Sequence, residues 1–107
     1  YPFASEIGVF ANNFSHVYVD ACFLPLISPT MTRETLSEWL ELIPSNKILW
    51  GGDCRSVEMA YGAILYIREL LLEVLSEKIQ RTYFDEDEAL EIALKILREN
   101  AIELYGL

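Results

Sequence analysis

The 107-residue sequence predicts an α/β fold in which helices alternate with two parallel strands. Apolar residues recur at helical spacing in four segments, and two short runs rich in β-branched and aromatic residues lie between them. This alternation is typical of parallel strands joined by crossover helices. Because parallel sheets are covered on both faces and are seldom two strands wide, we expect the chain to be an incomplete, helix-rich part of a larger α/β domain.

The order of the predicted elements follows from these patterns and from the residues that separate them. Pro25, Pro29 and Pro44 interrupt the regular segments. Residues 24–29, which contain the first two of these prolines, are expected to be irregular. The predicted elements are a helix over 2–14, a strand over 17–23, a helix from Thr30 or Thr32 to Ile43, a strand over 47–52, a helix from Ser56 to about Arg81, and a helix from Asp85 to Gly106.

The composition restricts the partners that the chain can have. A net charge of −9 argues against nucleic acid and anionic membranes, since phosphate binding needs Lys and Arg. No apolar run reaches the roughly 18 to 20 residues of a membrane span, and no targeting segment is recognised, so we expect a cytoplasmic protein. Cys22 and Cys54 match no metal-binding spacing and are expected to be buried thiols.

The hydrophobic content is high for so short a chain. Hydrophobic residues make up 52% of the sequence, and the mean hydropathy is +0.22. A small domain buries only part of its apolar surface, so this content predicts a partner or a missing remainder. We therefore expect self-association into a homo-oligomer through open strand edges and apolar helix faces.

The alternation of side chains along the strands assigns two acids to one face. Ile48 and Trp50 share one face of the second strand and are expected to pack against helices. Gly51 and Asp53 lie on the opposite face. In the first strand, Asp20 and Cys22 would lie on the same side as Asp53. The carboxyl ends of parallel strands are where ligands bind in α/β folds, so this edge is the candidate site.

Each candidate residue also has a structural interpretation. Asp53 could cap the next helix, although Ser56 is well placed to do so. Asp20 could make only structural hydrogen bonds, and His16, at the amino end of its strand, is expected to be a turn residue. Arg55 could bind a substrate carboxylate or pair with a nearby Glu.

The ordered combination of segments resembles the C-terminal end of amidohydrolase-superfamily proteins, in particular the amidohydrolase-related group. The resemblance covers nearly all of the chain and is carried by HVYVDACF, ILWGGDC and RENAIELYGL. It implies that 17–23 is the seventh strand and 48–53 the eighth strand of a (β/α)8 barrel. Residues 1–107 would then form one partial domain.

The resemblance also implies a chemistry and a cofactor. The parent protein would be a metal-dependent hydrolase that acts on C–N, C–O or C–C bonds of a small-molecule substrate through a water activated by a divalent metal, most often zinc. Asp53 would be a metal ligand and would move the proton during attack. The His-x-His pair of the family is absent from this sequence, so the chain alone is expected to be inactive.

The sequence leaves two alternatives open. The run Asp53–Ser56 (DCRS) is similar to a segment of uronate isomerases, in which Arg55 would hold the carboxylate of a sugar acid. The second alternative is a non-catalytic helical oligomerisation module, in which Asp53 would be a helix cap.

Overall fold

A computed structural model describes residues 2–107, and 71% of the structure is helical. One pair of short parallel strands lies among the helices. The elements are α1 (Ala4–Asn13), β1 (Val19–Asp20), α2 (Leu24–Ile27), α3 (Pro29–Leu42), a 3₁₀ turn (Ser45–Lys47), β2 (Ile48–Leu49), α4 (Val57–Gln80), α5 (Glu86–Leu94), a π-helical segment (Lys95–Glu99) and α6 (Asn100–Tyr105).

The prediction of barrel units is wrong. The runs expected to be the seventh and eighth strands of a (β/α)8 barrel, 17–23 and 48–53, each contain only two strand residues, and the structure is a small, compact, helix-rich body. The physical reason is that strand length depends on neighbouring strands, which the local sequence does not specify. With a single neighbour each, β1 and β2 end where the turns begin.

The register of the strand pair fixes which residues share a face. Val19 lies opposite Ile48, and Asp20 lies opposite Leu49, in parallel orientation. Beyond the paired residues, the Ala21 N–H donates a hydrogen bond of 3.0 Å to the Leu49 carbonyl. The pair therefore continues towards its carboxyl ends for a short distance, and this brings the two following loops together.

The predicted ends of α4 and of the last helical segment are confirmed. Ser56 Oγ accepts a hydrogen bond of 3.2 Å from the Met59 N–H, and Asp85 Oδ1 accepts one of 2.9 Å from the Glu88 N–H. Gly106 ends the chain's last helix with φ +68°, a conformation that favours glycine. Within residues 2–107, no helix is long and apolar enough to cross a membrane.

The segment before α3 differs from its prediction. Residues 24–27 are helical rather than irregular, because Pro25 lies in the first turn, where its missing N–H is not needed. Ser28, rather than either predicted threonine, caps α3, since its Oγ accepts a hydrogen bond of 3.2 Å from the Met31 N–H.

The core lies between α3, α4 and the strand pair, and α1 packs on α3. Trp39 Nε1 donates a hydrogen bond of 2.9 Å to the Ala4 carbonyl. Gly8 permits this approach, since a Cβ there would lie 2.9 Å from Trp39 Cδ1. The fully buried core side chains include Val19, Leu36, Ile48, Ile67, Leu71 and Ile96.

Two buried polar side chains hold β2 and its turn in place. Lys47 is buried, and its Nζ donates a hydrogen bond of 2.8 Å to the Phe14 carbonyl beyond the end of α1. Asn100 is buried in α6, and its Nδ2 donates hydrogen bonds of 2.7 Å to the carbonyls of Ser45 and Ile48. These bonds anchor the strand that leads into the candidate site.

A second buried lysine, Lys78, links α4 to α3. Lys78 Nζ is hydrogen-bonded to Glu41, and it also lies 4.4 Å from the centroid of the Tyr83 ring. The hydrogen bond and charge of Lys78 lower the pKa of Glu41 below its ordinary value of 4.5. Because of this ion pair, the free energy of unfolding depends on pH in the acidic range.

We expect Glu41→Gln to reduce the acid sensitivity of the protein. Because the pKa of Glu41 is lower in the folded state, its contribution to stability is present above pH 4.5 and is lost as the pH falls through the lowered value. The free energy of unfolding, measured in urea over a series of acidic pH values, should fall less steeply in this variant. The exposed Glu34→Gln variant should keep the wild-type slope, and a wild-type slope in Glu41→Gln would contradict the assignment.

Candidate functional site

Two acids and two cysteines gather where β1 and β2 end; we call Asp20, Cys22, Asp53 and Cys54 the carboxylate edge. Gly51 lies between the two loops, and a Cβ there would be 3.4 Å from Asp20 Oδ2 and 3.6 Å from Cys22 Sγ. Asp20 and Cys22 therefore lie on the side of the strand pair towards which Gly51 faces. The assignment of these two residues to one face by strand parity is confirmed.

Asp20 links the two strands through its side chain. Its Oδ1 accepts a hydrogen bond of 2.9 Å from the Gly51 N–H. Partial burial raises the pKa of Asp20 above its ordinary value of 3.8, although hydrogen bonds from the N–H groups of Gly51 and Cys22 act in the opposite direction. Asp20 thus has a structural role, and its ionisation opposes folding.

We expect Asp20→Asn to be more stable than the wild type at neutral pH. A carboxyl group whose pKa is raised by folding costs stability as the pH rises through 3.8 and through the higher folded value. The asparagine keeps the acceptor for the Gly51 N–H and has no charge to desolvate. In urea denaturation, the free energy of unfolding of Asp20→Asn should exceed that of the wild type at neutral pH, and this difference should disappear in acid. Asp20→Ala lacks the acceptor for the Gly51 N–H and should be less stable than Asp20→Asn at every pH. A lower stability of Asp20→Asn at neutral pH would contradict this account.

The cysteines differ from their predicted buried environment. Cys22 is exposed and Cys54 is half-buried, with its thiol 3.1 Å from the Gly52 carbonyl. Desolvation is the largest cause that raises the pKa of the Cys22 thiol, and the negative charges of the nearby Asp20 and Asp53 carboxylates raise it further. Cys22 is therefore a protonated thiol at neutral pH, which disfavours a role as a nucleophile.

Asp53 has a backbone conformation that few non-glycine residues adopt. Its φ is +44°, in the left-handed region, and its side chain is exposed on the loop that follows β2. It does not cap α4, since Ser56 does. Phe23, on the loop that follows β1, also has a positive φ, of +62°. Strained backbone at both loops of one edge is typical of functional sites, and no pattern in the sequence indicates it.

We expect Asp53→Gly to stabilise the fold. Glycine adopts a positive φ without steric cost, so the variant should gain about 0.5–1 kcal/mol in the free energy of unfolding. The matched change Asp87→Gly, in the first turn of α5, should instead lose stability because glycine is a poor helix former. Thermal and urea denaturation of the two variants test this, and a destabilised Asp53→Gly would contradict the strain at Asp53.

Arg55 and His16 lie at opposite ends of the strand pair. Arg55 is exposed just before α4, and among the described residues it forms no ion pair with a Glu or Asp. His16 is exposed in the turn that precedes β1, with its ring 6.1 Å from that of Phe14. Its prediction as a turn residue is confirmed, and it lies away from the carboxylate edge.

Residues 2–107 do not by themselves fit a zinc ion. In the part of the chain that the structure describes, no group of three or more His, Cys, Asp or Glu side chains is arranged to hold a metal. Asp53 as a metal ligand thus stays a prediction, and the remaining ligands would have to come from outside this chain. What the edge itself offers is two exposed carboxylates, one of which, Asp20, accepts a hydrogen bond from the Gly51 N–H.

Comparison with known proteins gives one informative match. The chain is 30% identical over 109 residues to protein fluG of Emericella nidulans. The match covers the whole chain but only 13% of fluG, so the chain spans about an eighth of the length of this curated relative. No family model matches the chain, and no solved structure gives a significant match.

Proposed function

We propose that this chain is a segment of a metal-dependent hydrolase of the amidohydrolase superfamily and that Asp53 is its proton-transferring carboxylate. The observation that supports this most directly is the strained backbone of Asp53 at the carboxylate edge. Asp53 is an exposed acid that caps no helix, and its left-handed backbone is of the kind that clusters at functional sites. The substrate would be a small molecule with a C–N or C–O bond to be hydrolysed.

The edge is suited to proton transfer. Asp53, exposed on its loop, would accept the proton of the attacking water and return it to the leaving amine or alcohol. Gly51 and Gly52 leave space elsewhere at the same edge, since a Cβ at Gly51 would lie 3.4 Å from Asp20 Oδ2 and a Cβ at Gly52 would lie 3.3 Å from Cys54 Sγ. The metal implied by the family resemblance would need ligands from outside this chain, so these residues supply only the proton transfer.

Arg55 is the proposed substrate-binding residue. Its guanidinium is exposed and has no carboxylate partner within residues 2–107, which leaves its donors free for an anion. It lies one residue before Ser56, the N-cap of the 24-residue helix α4, whose positive end also favours negative charge. A substrate with a carboxylate would bind there beside Asp53.

The experiment uses the longer protein to which the chain is similar. The matching segment of fluG is replaced by this chain, and the chimera is assayed with zinc against a panel of small amides and esters, with and without a carboxylate. Asp53→Asn should lower kcat by about 10²–10⁴-fold, the usual contribution of a general acid–base. Arg55→Ala should raise KM for the carboxylate-bearing substrates, and the exposed Asp87→Asn should match the unmodified chimera. Unchanged kcat in Asp53→Asn, or no hydrolysis by the chimera, would contradict the proposal.

A helical oligomerisation module is the second candidate, and a separate observation favours it. Large apolar side chains are exposed on two helices; they include Phe3, Ile7 and Phe10 at α1, and Tyr61, Leu65 and Leu72 on α4. Exposed apolar groups at helical spacing are typical of surfaces that bind another protein. This function does not need Asp53, and the two candidates can coexist in one chain.

A further inference from the structure

The hydrogen-bond ladder between β1 and β2 changes its acceptor where β1 ends. The Ala21 N–H donates to the Leu49 carbonyl at 3.0 Å, and in a regular parallel pair the Gly51 N–H would next donate to the Ala21 carbonyl. The Ala21 carbonyl instead accepts a hydrogen bond of 3.3 Å from the N–H of Leu24, the first residue of α2. The Gly51 N–H donates to Asp20 Oδ1 at 2.9 Å. The Asp20 carboxylate therefore replaces the main-chain acceptor that is used by the turn into α2.

Gly51 is hydrogen-bonded at both of its backbone polar groups, and the bond to Asp20 is the shorter one. The Gly51 carbonyl accepts a hydrogen bond of 3.4 Å from the Phe23 N–H, beyond the usual N–H···O range of about 2.7–3.2 Å. The acceptor of the 2.9 Å bond is a carboxylate, and such bonds are about twice as strong as those between neutral groups. The Asp20 carboxylate also accepts a hydrogen bond from the Cys22 N–H, so one side chain joins the loops that follow β1 and β2.

The position of Gly51 limits where the Asp53 carboxylate can lie. Asp53 follows Gly51 by two residues, which span at most about 7 Å of chain. The residue between them, Gly52, has more conformational freedom than any other residue type and cannot by itself fix the loop. The φ of +44° at Asp53 is a conformation that persists only where surrounding contacts impose it. The anchor at Gly51 supplies one such contact.

We propose that Asp20 is a positioning residue, which holds the loop over 51–53 through the Gly51 N–H and so places the Asp53 carboxylate at this edge. The inference rests on the proposed function only for the role of Asp53 as the proton-transferring acid. Asp20 acts through the backbone of the other loop and needs no contact with substrate. Its loss should loosen the loop and leave the strand pair folded, because its side chain is exposed and the buried Val19–Ile48 pair is unchanged.

NMR of the purified 107-residue chain tests the positioning directly. In Asp20→Ala, the backbone order parameters of Gly52 and Asp53 should fall from about 0.85, the value of rigid backbone, to below about 0.6. The Gly51 N–H should exchange with solvent at least about 10-fold faster, relative to the N–H of Ile67 in the core. Asp20→Asn keeps an acceptor for the Gly51 N–H and should stay close to the wild type in both measurements.

Asp85→Ala is the matched control. Asp85 Oδ1 also accepts a main-chain hydrogen bond of 2.9 Å, from the Glu88 N–H, but at the start of α5. The control loses a comparable bond and should keep the wild-type order at 51–53. In the fluG chimera, Asp20→Ala should lower kcat about 10–10²-fold, with KM changed by no more than about 3-fold, because a misplaced acid transfers the proton poorly. Asp20→Asn and Asp85→Ala should keep kcat within about 3-fold of the unmodified chimera.

The two readouts separate this inference from the proposed function. Loss of order in Asp20→Ala, absent from Asp20→Asn and Asp85→Ala, supports the positioning of Asp53. Unchanged order at 51–53 in Asp20→Ala overturns it. A disordered loop with the same kcat as the Asp85→Ala chimera also overturns it, because Asp20 would then only stabilise the fold. A chimera without hydrolysis contradicts the proposed function, and the order parameters alone then decide whether Asp20 holds the loop.

Discussion

Asn100→Asp is expected to destabilise the fold by about 3–5 kcal/mol, the cost of an uncompensated buried charge. The Asn100 amide donates to the carbonyls of Ser45 and Ile48, both at 2.7 Å, and is buried between them. A carboxylate at this position is only an acceptor, so it would face two other acceptors without water. Stabilities of small domains are about 5–15 kcal/mol, so this change would remove a large part of the total.

Urea denaturation at neutral and acidic pH provides the measurement. The deficit of Asn100→Asp should shrink in acid, because a protonated carboxyl group can again donate one hydrogen bond. Asn46→Asp introduces the same charge at an exposed position and should change the free energy of unfolding by no more than about 0.5 kcal/mol. Equal effects of the two variants would show that the Asn100 amide does not hold β2.

Lys47→Met is expected to cost about 2–3 kcal/mol, because it leaves a buried carbonyl without its donor and removes a cation from a helix end. Lys47 Nζ donates to the carbonyls of Ala11 and Phe14, at the end of α1. The Phe14 carbonyl also accepts a hydrogen bond from the Val17 N–H, so it keeps one donor in the variant. The Ala11 carbonyl loses the donor that Lys47 supplies, and most of the destabilisation should come from this carbonyl. Methionine fills a similar volume, which limits any contribution from a cavity.

The matched control for this prediction is Lys95→Met. Lys95 forms an ion pair with Glu91 within one helical segment, and the Glu91 partner is exposed. Such pairs contribute about 0.3–0.5 kcal/mol, so the control should remain close to the wild type in thermal and urea denaturation. If Lys47→Met is no less stable than Lys95→Met, the link from β2 to α1 is not important for stability.

The features that the sequence predicts well are those determined by a few neighbouring residues. The caps at Ser56 and Asp85 and the glycine at the end of the last helix are all confirmed, since each depends on local backbone donors and acceptors. The common face of Asp20, Cys22 and Gly51 is also predictable, because side chains alternate along an extended backbone.

The features that could not be predicted depend on contacts between distant parts of the chain. The runs at 17–23 and 47–52 have strand composition, yet each contains only two strand residues, and within residues 2–107 no third strand pairs with either. Asp53 lies in the loop between β2 and α4, and no local pattern in the sequence indicates its left-handed conformation. Asn100 is different: it follows Ile96 by four positions on an otherwise apolar stripe, and this position could have indicated a buried amide.

Native mass spectrometry of the purified chain, with and without added zinc, most directly tests the central claim that the carboxylate edge supplies a proton-transferring acid without a metal site of its own. We predict a zinc-free species with or without the metal, because the described residues contain no suitable group of three ligands. Retention of zinc in whole-number stoichiometry, lost in Asp53→Asn, would contradict this account. It would mean that the chain holds the metal without ligands from any other part of a longer protein.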